Sequence, residues 1–216
     1  MTKLKCGDIF SVQLPNQKYI SARVILDVYK QCYEKNKIEE LSGLFFYQEC
    51  ILVEIYSELF DEPTPKQSSV LIPGIFFAND PERTSAWQLI GHQPINPLQV
   101  EFPETLPGVG AQDCLVRGEI TLPLQRRKQR KYFPYGLPEI LPSLISPKAI
   151  VNISLYYLNL KHLITTQYPE IHSLVDSDLR FSEHRSRVYQ ILDEEENQSY
   201  YEMSSKLGLD VTRFYE

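Results

Sequence analysis

Nowhere in these 216 residues is there a run of the ~18–20 apolar side chains that a membrane-spanning helix needs. The two most apolar stretches, 70–78 and 149–164, are too short or are broken by polar residues. Lys3 and Lys5 are not followed by a hydrophobic segment, so no signal peptide is expected. The four cysteines, Cys6, Cys32, Cys50 and Cys114, are widely spaced and form no CxxC pair. In a chain of this length they read as reduced thiols rather than as a disulfide framework, which predicts a cytoplasmic protein. Glycine is scarce, at 9 residues against 15 prolines, and that ratio suggests many short elements separated by turns.

Catalytic signatures are missing too. There is no GxxxxGK[ST] loop, GxGxxG, GxSxG elbow or HExxH. Of four histidines, only His172 and His184 have acidic neighbours, Asp176 and Asp178, in a metal-like grouping. His172 and Asp176 would share a helical face, but Ser177-Asp178 looks like a turn or cap that breaks such a helix. The grouping therefore reads as a polar loop between helices. No nucleophile or base stands out, so neither an enzyme nor a bound cofactor or metal is expected.

What is present is an ordinary globular composition, 43% hydrophobic and 23% charged, with ample material for a core. Fourteen Tyr and ten Phe tilt it toward β structure. Formal net charge is −6, unevenly spread. Residues 1–124 hold 10 Lys and Arg against 16 Asp and Glu, and residues 132–216 hold 7 against 12. Between them lies a basic band, Arg126, Arg127, Lys128, Arg130 and Lys131. A broad nucleic-acid footprint is not expected from one such band, although the band allows a local anionic contact, and a nucleic-acid-associated module using residues 126–131 is the alternative reading.

The first part reads as strands. Gly7 to Leu14 places Ile9, Phe10 and Val12 as core candidates, Pro15-Asn16-Gln17 supplies turn chemistry, and 19–29 resumes as a second strand, predicting a hairpin. In that second strand Ala22, Val24, Leu26 and Val28 would share one face. Residues 30–41 read as a solvated connection or short helix. Leu44 to Tyr47 and Cys50 to Tyr56 favour strand, followed by strands at 70–77, 87–91 and 114–122. After about 135 the pattern turns helical. A short helix is expected from Leu137, a longer one from Ser146-Pro147 to about Thr165, and another over 183–196 that frays at its acidic end, Asp193 to Glu196. The tail, Met203 to Arg213, resembles the turn of a helix-turn-helix and is read as a short packing helix. The expected class is α+β: an antiparallel sheet or small open, SH3-like barrel over 1–135, then a helical extension over 136–216 packed on it.

Two segments together resemble the immunity protein 26 family of bacterial polymorphic-toxin systems. One is Gly7-Asp8-Ile9-Phe10-Ser11-Val12-Gln13-Leu14-Pro15 with Tyr19-Ile20-Ser21-Ala22-Arg23-Val24-Ile25. The other is Trp87-Gln88-Leu89-Ile90-Gly91-His92-Gln93-Pro94, continuing to Phe102-Pro103. The resemblance covers roughly residues 5–105. Asn16-Gln17 departs from the tighter turn expected there, and Ser21 stands where Gly is expected.

The resemblance implies a protein that inhibits by binding, with a cognate toxin as partner. Such a protein needs complementary shape and charge rather than catalytic groups. An acidic face would suit a nuclease or another basic target. Candidate contact residues are Glu54, Glu58, Asp61 and Glu62, with Asp193 to Glu196 as a second acidic patch and the basic band Arg126, Arg127, Lys128, Arg130 and Lys131 as a third. Trp87, the only Trp, is placed in the core. Gly7 and Gly91 are read as serving backbone geometry.

Overall fold

In a computed structural model, which describes residues 4–39, 42–66, 69–109, 112–126, 137–164 and 172–216 (backbone alone at Val109, Gln112, Gln125 and Arg126), Gly7 turns the chain at φ +90° into β1 (Asp8–Gln13). The predicted hairpin to β2 (Tyr19–Asp27) forms, with Phe10 opposite Ala22. Its turn closes through Leu14 N–H to the Lys18 carbonyl at 2.8 Å, and Gln17 supplies the left-handed residue at φ +65°. Strands β3 (Cys50–Phe60) and β4 (Val70–Ala78) follow antiparallel beside β2. β5 (Gln88–His92) returns to the free side of β1. The order β4-β3-β2-β1-β5 leaves β4 and β5 at opposite edges, so the sheet is open rather than a barrel.

Both faces of this sheet are buried. Ile20, Ala22 and Val24 of β2 join Phe10, Val53, Ile55, Phe77 and Trp87 in one cluster. Leu26 and Val28 lie in the other cluster, with Cys50, Leu52, Phe76 and Phe102. The predicted common face of Ala22, Val24, Leu26 and Val28 is therefore split. The cause is a bulge: Val24 pairs with Val53, but Leu26 pairs with Leu52, so Ile25 is an extra residue that shifts the phase of the strand. Trp87 is buried as expected. It stacks on Phe10 at 4.2 Å and meets Phe77 edge-on at 5.5 Å.

A second small sheet follows, built from β6 (Glu104–Thr105), β7 (Gly108–Val109), β8 (Gln112–Arg117) and β9 (Ile120–Arg126). The expected single strand over 114–122 is instead the tip of the β8–β9 hairpin, because Gly118 adopts φ +59° and reverses the chain. Leu115, Ile120 and Leu124 from this hairpin pack into the second cluster.

Helices α1 (Ile150–Tyr157), α2 (Arg185–Leu192) and α3 (Tyr200–Lys206) complete an α+β architecture. α1 covers the first cluster through Ile150 and Ile153, while α2 and α3 cover the second through Val188, Tyr189, Tyr200 and Met203. All three helices end on a left-handed residue, Asn159 (φ +60°), Asp193 (φ +57°) and Gly208 (φ +76°). In each case the next N–H reaches back five residues: Leu160 to Leu155, Glu194 to Tyr189, and Leu209 to Ser204. α1 and α2 are thus shorter than expected, and the acidic run begins where α2 has already ended. The expected helix at Leu137 is absent. Pro142 disfavours helical backbone at Leu141, and Ile140 instead exchanges backbone hydrogen bonds with Leu106 at 2.7 and 3.3 Å. The tail packs as predicted, with Tyr200, Met203, Val211 and Phe214 buried. α3 opens on a reciprocal Ser199–Glu202 capping box. Among the described residues no helix is long and apolar enough to cross a membrane.

Candidate functional site

At the Asp27 end of β2 the chain makes a wide π-helical turn, Tyr29–Tyr33. Asp27 organises it: its carboxylate accepts the Lys30 N–H at 3.1 Å, and its own N–H donates to the Gln31 side chain at 2.7 Å. Val28 and Cys32 point into the core, which leaves Tyr29 and Tyr33 outside. Beside this turn lies a second one, Gly43–Tyr47, a 3₁₀ helix whose Ser42 cap accepts the Leu44 N–H at 3.2 Å. Its three-residue period buries Leu44 and Tyr47 on one side, Tyr47 stacking on Phe76 at 3.8 Å, and presents Phe45 and Phe46 to solvent. Leu44 to Tyr47 is therefore not the strand that its aromatic content predicts.

The result is a run of exposed rings drawn from two turns. Tyr29 is 45% exposed, Tyr33 38%, Phe45 36% and Phe46 51%. Tyr33 bridges the turns, 5.9 Å from Tyr29 and 5.8 Å from Phe45. Phe46 leans edge-on against buried Tyr47 at 5.1 Å. Next to Tyr29 an open depression of about 730 Å³ is lined by Asp27, Lys30, Glu49, Asn79, Asp80 and Arg83. Contiguous exposed aromatics of this kind mark contact surfaces, and rings held on anchored turns lose little freedom on binding. The sequence pattern puts Tyr29 at the end of the second strand and Phe45 and Phe46 in another strand. The legible signal was Ser42-Gly43, a cap followed by a residue that does not favour strand.

The expected acidic patch lies at the other end of the sheet, where Phe60 pairs with Tyr19. Glu58 is paired with Lys66 at 3.2 Å and Asp61 with Lys18, while Glu62 is exposed. Glu54 is separate from these three. It is buried, accepts a hydrogen bond from Arg23 Nε at 2.7 Å with the Nη2 of the same ion pair 2.6 Å away, and accepts the Tyr56 hydroxyl. This trio lines a cleft of about 330 Å³ walled by Ile95, Asn96 and Gln99. Of the basic band, Arg126 pairs through its backbone with Gln112, and Arg127, Lys128, Arg130 and Lys131 lie outside the described residues. In the acidic run Glu194 meets Gln198 at 3.0 Å and Glu196 meets Arg185 at 3.4 Å, while Glu195 is exposed.

The structure also holds a buried charge network with no counterpart among the predicted sites. Glu104, fully buried on β6, accepts from Arg185 and from the Tyr189 hydroxyl, the latter at 2.8 Å, with Arg117 at 3.6 Å. Arg117 reaches on to Glu101 and to the Gln198 carbonyl. Asp178 accepts the Glu104 N–H at 3.2 Å and takes Arg180 on both carboxylate oxygens. Burial alone would raise the Glu104 carboxyl, but Arg185 and Arg117 outweigh it and hold the group below its ordinary value. This network ties α2 and the Asp178 turn to β6. Asp178 is thereby engaged by arginine. Asp176 is exposed, His172 sits against the Tyr156 ring, and His184 lies 3.9 Å from Glu183. Among the described residues no three His, Cys, Asp or Glu side chains are placed to hold a metal. Burial pushes the Cys6 thiol up to about 11 and that of Cys50 to about 12, so both are poor nucleophiles at neutral pH.

Residues 5–106 match the family model of immunity protein 26. The match takes in the whole five-stranded sheet, both aromatic turns and β6, and the resemblance read from the Gly7–Ile25 and Trp87–Pro103 segments holds over that span. It supports a toxin-neutralising immunity role with a toxin protein as partner. No curated protein and no solved structure matches the chain.

Proposed function

We propose that the protein neutralises a toxin by stoichiometric binding in the cytoplasm, covering the toxin's working surface and carrying out no catalysis itself. The observation that carries this reading is the exposed ring cluster Tyr29–Tyr33–Phe45, with Phe46 exposed next to Phe45 on the same turn, which lies inside the matched segment on turns anchored to the core. Rings of this type supply the desolvated anchors of protein interfaces. Glu58, Asp61 and Glu62 lie at the far end of the sheet, where Lys66 and Lys18 offset the first two and Glu62 carries the remaining negative charge toward a basic target. Glu54, sealed against Arg23, holds the sheet surface and does not contact the partner directly.

The test is coexpression with the toxin domain encoded by an adjacent reading frame, together with calorimetry on the two purified proteins. Growth rescue and a 1:1 complex are expected. No rescue and no complex would overturn the reading. Salt-dependent binding of DNA or RNA near physiological ionic strength would instead favour a nucleic-acid module using Arg126, Arg127, Lys128, Arg130 and Lys131.

A further inference from the structure

The turn that presents Tyr29 and Tyr33 is pinned from outside the matched segment. The 3₁₀ turn Val211–Tyr215 packs beneath it with Val211 and Phe214 buried. Gln31 Nε2 donates to the Phe214 carbonyl at 3.0 Å, and Lys37 Nζ donates to the Arg213 carbonyl. Arg213 answers with Nη2 to the Lys37 carbonyl at 3.1 Å, and the same guanidinium pairs with Glu119 at the tip of the β8–β9 hairpin. At the end of the same turn, the Tyr215 hydroxyl donates to the Ile25 carbonyl at 2.7 Å, at the bulge where β2 changes face. Residues 29–37 are therefore held at Gln31 and Lys37 by the last described turn of the chain, and that turn is itself braced on the bulge and on a second hairpin.

We infer that Val211–Tyr215 is a strap that sets the geometry of the partner-binding rings, with Arg213 as its positioning residue. This rests on the ring cluster being the toxin-contact surface. A ring surface held in its bound shape before encounter gives up less freedom on binding, so loosening the strap weakens the complex without removing any contact atom. Arg213 links three elements: its own turn, the 29–37 segment and Glu119. Loss of its guanidinium frees the Lys37 carbonyl and the Glu119 carboxylate together. The role also explains why a chain whose matched region ends at 106 carries an ordered helical part: one of its tasks is to finish the surface that the matched region begins.

The experiment uses the full chain in four forms: wild type, Arg213→Ala, Tyr215→Phe, and Tyr29→Ala/Phe46→Ala. Tyr215→Phe removes a single hydroxyl and keeps the ring, so it reports on the strap even if Arg213→Ala folds poorly. Amide exchange of residues 29–37 is read alongside the dissociation constant for the purified toxin domain encoded by the adjacent reading frame. In both strap variants exchange over 29–37 should speed up while β1 and β3 keep their protection. The dissociation constant should rise on the order of tenfold for Arg213→Ala and less for Tyr215→Phe; the thermal midpoint should fall for Arg213→Ala, which strands the Glu119 carboxylate, and change little for Tyr215→Phe. Unchanged exchange over 29–37 would overturn the strap. So would faster exchange with unchanged affinity while Tyr29→Ala/Phe46→Ala loses binding. If that double variant binds as wild type, the ring surface is not the interface, and the proposal falls with the reading beneath it.

Discussion

Arg185 on α2 grips Glu104 on β6 with two hydrogen bonds, Nε to Oε2 at 2.8 Å and Nη2 to Oε1 at 2.9 Å. The pair joins the helical part of the chain to the end of the matched segment. Glu104 has no solvent contact, so removing Arg185 leaves its buried charge to Arg117, 3.6 Å away, and the Tyr189 hydroxyl. Arg185→Ala should cost about 3–5 kcal/mol in urea-induced unfolding. Glu196→Gln, which cuts the partly exposed arm of the same arginine at 3.4 Å, should cost less than ~1 kcal/mol. Equal losses for the two would show that the grip on Glu104 has no special weight.

The same carboxylate sets an acid limit. Burial raises Glu104, but Arg185 and Arg117 bring it below the ordinary glutamate value of 4.5. The unfolded chain then takes up the proton first as pH drops, so this contribution is complete above 4.5 and is lost as pH falls through the folded value. Glu119 works in the opposite sense. Burial raises it above 4.5 despite Arg213, so its contribution is present below 4.5 and fades as pH rises through the folded value. Stability measured from pH 6 to 3 should fall less steeply in Glu104→Gln and more steeply in Glu119→Gln.

The exposed rings separate binding from folding. Tyr29→Ala and Phe46→Ala each remove a side chain that is about half in solvent, so unfolding free energy should stay within roughly 0.5 kcal/mol of wild type. Toxin affinity should drop by about 2 kcal/mol or more for at least one of them. Calorimetry beside denaturant titration reads both quantities on the same samples.

Gly118 is the tightest test of the second hairpin. Its φ is +59°, and a Cβ there would stand 2.9 Å from the Tyr200 ring and 3.0 Å from that of Phe102. Both rings are buried and cannot move aside cheaply. Gly118→Ala should therefore destabilise by more than ~1 kcal/mol, measured by thermal or chemical unfolding. A neutral result would mean that the hairpin tip can shift as a body.

The first hairpin could be read from the sequence because polar and turn residues mark its limits: Gly7 before β1, then Pro15-Asn16-Gln17 at the tip. Trp87 was legible as core because apolar neighbours follow it in a short strand. The bulge at Ile25 left no trace, since Val24, Ile25 and Leu26 are all apolar and a one-residue slip among them alters no visible pattern. The ring surface was hidden for a related reason. Phe45 and Phe46 lie close before the apolar start of β3, separated from it by Tyr47 and the polar pair Gln48-Glu49, and the Ser42 cap and Gly43 ahead of them are the only local signs of a turn. Helix ends at Asn159 and Asp193 were missed because these residues suit a left-handed stop only a little better than a helix interior, whereas Gly208 announces its stop. The Glu104 network was beyond reach: its members come from β6, β8, the Asp178 turn and α2, and only the fold brings them together.

The matched segment supplies a sheet with two apolar faces and only part of the material needed to hide them. Ile25, Leu26, Leu52, Phe76 and Phe102 are roofed by Leu115, Ile120, Val188, Tyr189, Tyr200 and Met203, all of which come after residue 106. A relative that shares the sheet but has a different continuation must therefore have found another roof. When such chains diverge, the continuation is free to change its sequence, its helices and its length. It is not free to disappear.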